Sequence, residues 1–147
     1  MKNAIIYIVC LLCVGSLSLA SCSSKKGNSL RIMTYNIHNA IGMDEKVDIA
    51  RVAEVILQSA PDVVDVQEID SVTERSGKVD VLSELGNKVG MHALFASAID
   101  FQGGKYGIGI LSKKTPKSWK QIALPGREEA RTLLLAEFDE YYFACVH

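Results

Sequence analysis

The sequence predicts an α/β (α+β) fold, a mixed β-sheet with helices on one face. Three observations carry this expectation. Residues 30–37 are rich in strand formers, with Leu30, Ile32 and Thr34 on one face and Arg31, Met33 and Tyr35 on the other. Ile49, Val52, Ala53, Ile56, Leu57 and Ala60 then recur at helical spacing. Beyond residue 90 the pattern changes to a series of short strands, as in a sheet that begins with strand–helix units and continues antiparallel.

The elements follow in order. Residues 1–21 open with Lys2, run apolar or small and uncharged from Ala4 to Ala20, and read as a secretory signal rather than a core helix. Leu19-Ala20-Ser21-Cys22 resembles a bacterial lipobox, which implies cleavage before Cys22 and acylation of its thiol and new amino group. More than one acyl chain gives stable anchoring. Residues 22–29 form the lipidated cysteine and a flexible tether without large apolar side chains. The protein is therefore expected at the bacterial cell envelope, held to the membrane by its lipid. Ser23, where an aspartate would favour the inner membrane, points to the outer one.

Residues 30–147 are the globular domain. Strand one, 30–37, is followed by a helix that Asp48 caps and Pro61 stops. Residues 62–68 are strand two. Residues 79–89 form a second helix with Val79, Leu82, Leu85 and Val89 on one face and Gly90 as its stop. Residues 91–96 read as a strand and 98–105, with Gly103-Gly104, as a loop. Strands at 107–113, 119–124 and 132–138 follow, and Asp139-Glu140 turns the chain into a last strand, 141–146. A sheet with helices on one side leaves its other face apolar, and the expectation is that this chain lacks the partner for it.

Composition excludes some classes. The 48% hydrophobic content suits a packed core, and 22% charged residues do not suggest disorder. The formal charge is −1, from 16 basic and 17 acidic residues; losing the leader removes one base, Lys2, so there is no global attraction to nucleic acid. The Lys113-Lys114-Thr115-Pro116-Lys117 cluster reads as a solvated turn. Cys145 is the one cysteine of the domain, so neither a disulfide framework nor a zinc spacing is available, and it reads as a small buried strand residue.

Three strands end in polar residues. Strand one ends Tyr35-Asn36-Ile37-His38, strand two ends Gln67-Glu68, and the last strand ends at His147. If these ends converge, a carboxylate, an amide and an imidazole suit a hard cation and a phosphoryl group, and magnesium needs only one or two protein carboxylates.

Residues 31–38 (RIMTYNIH) and 61–70 (PDVVDVQEID) resemble the first two motifs of the endonuclease/exonuclease/phosphatase superfamily. Residues 106–113 (YGIGILSK), 129–134 (EARTLL) and 143–147 (FACVH) resemble the next three, in order. The resemblance implies two stacked sheets flanked by helices, of which residues 30–147 are the N-terminal part: half of a four-layer α/β/β/α sandwich. It implies that Glu68 binds magnesium or manganese, that Asn36 supports metal and phosphate, that His147 contacts the scissile phosphate, and that Arg131 lies near it. The substrate is then a phosphoester: nucleic acid, an inositol phosphate or a phospholipid head group. No protein partner is predicted.

The departures are specific. Ile108 stands where many members carry asparagine, and Val146 replaces a threonine. Asp65 lies within strand two, where it requires a polar partner. The family's Gly-Asp-Phe-Asn and Ser-Asp-His motifs are not found, so the resemblance implies a chain without its general base. The alternative reading is a non-catalytic lipoprotein fragment.

Overall fold

The computed structural model describes residues 29–126 and 129–147. The leader and Cys22 lie outside the described residues. Two sheets stack face to face, with two helices packed on the outer side of the larger one.

The larger sheet contains β1 (Ile32–Asn36), β2 (Val63–Ser71), β3 (His92–Phe101) and β4 (Gly104–Ser112), in the order β1-β2-β4-β3. It is mixed, as expected: β1 runs parallel to β2, and the other pairs are antiparallel. The parallel step requires a crossover, and α1 (Ile49–Ser59) supplies it. The Asp48 side chain caps α1 by accepting from the Arg51 N–H at 3.0 Å. The helix ends at Ala60 in the left-handed conformation, immediately before Pro61. In α2 (Val81–Val89), Asp80 accepts from the Ser83 N–H at 3.2 Å, which starts the helix two residues later than its apolar pattern suggests.

The helices bury Val52, Ala53, Ile56, Val81, Leu82 and Leu85 against Val64, Val66, Ile69 and Leu111 of the sheet. Gly109 permits this contact, because a Cβ there would collide with the Leu82 side chain.

The smaller sheet is an antiparallel meander of β5 (Ser118–Leu124), β6 (Arg131–Glu137) and β7 (Tyr142–Val146). Leu134, Ala136 and Cys145 pack from it onto Val63, Ala96, Ile108 and Ile110 of the larger sheet. This corrects one expectation. The inner face of the larger sheet is largely covered, and the chain itself provides the cover. Apolar exposure lies elsewhere: Ile32 at the β1 edge is 57% exposed, and Ile122, Tyr142 and Val146 are also exposed.

A second expectation also changes. Residues 98–105 are not a loop. β3 and β4 continue through them to a tight hairpin at Gln102 and Gly103, whose φ values are 45° and 71°. Two consecutive positive φ values suit the right-handed twist of a hairpin, so the glycine pair marks a turn two residues long. Among the described residues no helix is long and apolar enough to cross a membrane.

Candidate active site

Strand β2 carries the feature that builds the site. Val64 and Val66 face the helices, and strict alternation would place Glu68 beside them. Instead Ile69 takes the next place in that core, and the pairing with β4 shifts register between Val66 and Ile69. The extra residue is a β-bulge, and Glu68 sits in it with φ of 59°. The bulge turns the Glu68 side chain out of the helix-facing core.

Asn36 is the last residue of β1 and pairs with Gln67. Its Nδ2 donates to Oε1 of Glu68 at 2.7 Å, while its Oδ1 accepts from the His38 N–H at 3.0 Å. Both ends of the amide are therefore committed. Below them, Gln67 Nε2 donates to Thr34 Oγ1 at 2.9 Å, and Thr34 Oγ1 donates to Asp65 Oδ2 at 3.2 Å. Asp65 thus has the polar partner it requires at one oxygen; its Oδ1 is buried with no partner among the described residues.

His147 follows β7, and its Nε2 lies 3.9 Å from Oε1 of Glu68. The structure thus brings Asn36, Glu68 and His147 together. Arg131 begins β6 and shares a recess with His147, lined also by Tyr106, Gly107, Ile108 and Thr132. Its guanidinium is 3.4 Å from Glu129. Ile108, in the place of the family's asparagine, is buried in the core between the sheets and gives this recess an apolar wall. Of the other histidines, His92 contacts Thr115 near the start of β3, beside the far end of β4, and His38 enters the site through its backbone.

Tyr106 lines this recess and lies near enough to Glu68 to sense its charge. Burial, with the negative charge of Glu68 next, pushes its phenol up to about 12, and the Arg75 cation opposes the shift. The phenol is therefore a neutral hydrogen-bond donor near neutral pH.

Sequence reasoning missed Asp70, Arg75 and Asn39. Asp70 is fully buried and receives two hydrogen bonds from Arg75, from Nε at 2.6 Å and from Nη2 at 2.9 Å. The carboxylate beside it holds the guanidinium above its ordinary range. The available signal was a carboxylate within an apolar strand, two residues after Glu68, followed five residues later by an arginine.

Among the described residues no group of three or more His, Cys, Asp or Glu side chains could hold a metal ion. The donor set is one carboxylate, whose Oε1 alone is engaged by neighbours among the described residues, with an amide and an imidazole beside it. Such a set fits a hydrated hard cation that keeps several waters, and it does not fit zinc.

The layered sheets and the sequence place the chain in a class of domains whose members hydrolyse phosphoesters. A family model described as the Endonuclease/Exonuclease/phosphatase family matches residues 33–143, and the chain belongs to that family. An endonuclease/exonuclease/phosphatase from Beutenbergia cavernae superposes with a TM-score of 0.66 at 24% identity, over 80% of this chain and 38% of that one. A family protein from Leptotrichia buccalis gives 0.61 at 16% identity, over 81% of this chain and 55% of that one. TDP2 of D. rerio, solved with a single-strand DNA product, gives 0.55 at 21% identity, over 80% and 44%. The chain thus spans between 38% and 55% of the length of these proteins. No curated protein matches it.

Proposed function

We propose that this chain carries the metal- and phosphate-facing part of a metal-dependent phosphoester hydrolase, a nuclease or phosphatase, anchored to the bacterial envelope through Cys22. The convergence of Asn36 at the end of β1, Glu68 at the bulge within β2 and His147 after β7 carries the reading. Membership of a phosphoester-hydrolysing family supports it, as does the likeness to a protein solved with a DNA product.

Glu68 would hold magnesium or manganese through its carboxylate, with Asn36 fixing the carboxylate's orientation. The bound ion supplies Lewis-acid neutralisation of phosphoryl oxygens. His147 is placed to donate a proton or hydrogen bond to a phosphoryl or leaving oxygen, because its Nε2 faces the same carboxylate. Arg131 adds positive charge at the rim, shared with Glu129. Tyr106, in the same recess as Arg131 and His147, offers a neutral donor. A single imidazole faces Glu68 among the described residues, so one group would have to deprotonate water and also protonate the leaving oxygen. The 147-residue chain alone is accordingly expected to bind without measurable turnover.

Calorimetric titration with Mn2+ tests the reading. The chain binds one equivalent and Glu68→Ala does not; equal binding by both overturns it. A hydrolysis panel of nucleic acid, an inositol phosphate and a phospholipid diester, with Glu68→Ala as control, checks the turnover statement. Membrane fractionation of Cys22→Ser, which should release the protein from the envelope, checks the anchor.

A further inference from the structure

The amide of Asn36 is held at both ends: its NH2 donates to Glu68 at 2.7 Å and its oxygen accepts from the His38 N–H at 3.0 Å. The acceptor-only carboxylate selects the NH2 end, and the His38 N–H anchors the opposite end, so a displaced turn would let the amide shift or tilt relative to Glu68. The orientation of Asn36 therefore depends on the turn at 38–40. That turn is unusual. His38, Asn39 and Ala40 have φ values of 47°, 55° and 59°, three successive left-handed residues without a glycine. Such backbone persists only when its surroundings hold it.

One side chain does so from outside the turn. Arg75 Nη2 donates to Oδ1 of the buried Asn39 at 2.6 Å. Arg75 is itself fixed on three sides. Asp70 binds it with both oxygens, the Phe101 and Tyr106 rings lie 4.5 and 5.3 Å from its guanidinium carbon, and its backbone N–H donates to Gln102 Oε1 at 3.1 Å. The guanidinium thus ties the left-handed turn to β2 just beyond the bulge and to the β3–β4 hairpin.

We propose that Arg75 is a positioning residue for the Glu68 carboxylate, acting through Asn39, the 38–40 turn and the Asn36 amide. This rests on the reading of Glu68 as a metal-binding carboxylate, but the amide orientation is a separate observable. A purely structural Arg75 would act through its ion pair with Asp70. The test must therefore cut the link to the turn and leave that pair intact. Asn39→Gly does this: glycine accepts the left-handed φ and removes the Arg75 acceptor together with the rest of the buried side chain. Asn39→Asp keeps the acceptor and tolerates the same φ.

The experiment is Mn2+ titration of the full 147-residue chain and these variants, together with NMR of the Asn36 side-chain amide. Asn39→Gly should weaken Mn2+ binding about tenfold, as loss of an outer-shell partner does. It should also move the Asn36 amide resonances, and Asn39→Asp should restore both towards the parent. Arg75→Lys, which keeps the charge facing Asp70 but not the fork reaching Asn39, should repeat the Asn39→Gly result and serves if the glycine variant does not fold. Parent-like binding and unchanged Asn36 resonances in Asn39→Gly overturn the proposal. If the parent and Glu68→Ala bind Mn2+ equally, the metal reading fails by itself, and the Asn36 resonances still decide the positioning role.

Discussion

Asn36 and Glu68 meet across two parallel strands although the register pairs Asn36 with Gln67. The contact exists because β2 inserts one residue at its bulge and holds Glu68 at φ of 59°. A non-glycine residue in this region costs about 1–2 kcal/mol, and such strain collects at functional sites.

Replacing the strained residue should therefore separate stability from function. Glu68→Gly is expected to be more stable than Glu68→Ala by about 1 kcal/mol, because only glycine relaxes the left-handed backbone. Both variants should lose Mn2+ binding. Urea unfolding of the pair measures the difference, and a glycine variant less stable than the alanine one would refute the claim that strain resides there.

Asp65 is the second place where the strand departs from good packing. Its Oδ2 accepts from Thr34, but its Oδ1 is buried without a partner among the described residues. An unsatisfied buried oxygen costs about 1–3 kcal/mol. Asp65→Val puts a strand-forming side chain beside Val63 and Cys145, and leaves the exposed Thr34 hydroxyl to water. The expected gain is about 1 kcal/mol, or roughly 3–5 °C in Tm for a domain of this size. A fall in Tm would mean that the carboxylate organises the Thr34–Gln67 network that underlies Asn36.

Most of the fold was legible because alternation and capping are local. Asp48 before a helical pattern and Asp139-Glu140 between two strands needed no tertiary information. The Gly103-Gly104 hairpin was misread as a loop because glycines mark a bend without saying how few residues it needs. The cover over the larger sheet was missed because which strands share a sheet depends on pairing across the chain: β5 to β7 look like continuations of one sheet and form another. Asn36, Glu68 and His147 were readable as polar residues closing the predicted strands, but strand two does not end at Glu68: β2 runs on to Ser71 after the bulge, which the local pattern did not show. The Asp70–Arg75–Asn39 link was not readable, since its members lie up to 36 residues apart and converge only when the hairpin and the left-handed turn fold onto β2.

Tyr106 reports the charge at the site directly. Its phenol is pushed up to about 12 by burial and then by Glu68, while Arg75 acts in the opposite direction. Glu68→Gln should lower the phenol's titration midpoint, whereas Arg75→Met should raise it. Tyrosinate absorbance compared with Tyr106→Phe isolates this group among the five tyrosines. The linked stability is fully present below about pH 10, the ordinary phenol value, and declines as pH rises towards the folded value. No movement of the midpoint in Glu68→Gln would show that the ring does not sense the carboxylate.

Cys145 gives the last prediction, and it concerns folding rather than chemistry. Burial between the sheets pushes its thiol well above the ordinary range, and the neighbouring Asp65 carboxylate adds to the shift, first through hydrogen bonding and then through its charge. The thiol donates to the Val66 carbonyl at 3.7 Å, across the interface of the two sheets. Because the folded value is raised, the neutral thiol is the folded form, and its contribution to stability is complete below about pH 8.5. Above that, the unfolded chain ionises first, and stability falls by about 1.4 kcal/mol per pH unit while the folded thiol stays protonated. Ellman's reagent should therefore leave the folded domain of a Cys22→Ser protein without its leader untouched at pH 8, and react once urea separates the sheets. The slope of stability against pH above 8.5 should diminish in Cys145→Ala. Prompt labelling of the native protein would place this cysteine outside the interface and remove the main evidence that β7 seals the inner core.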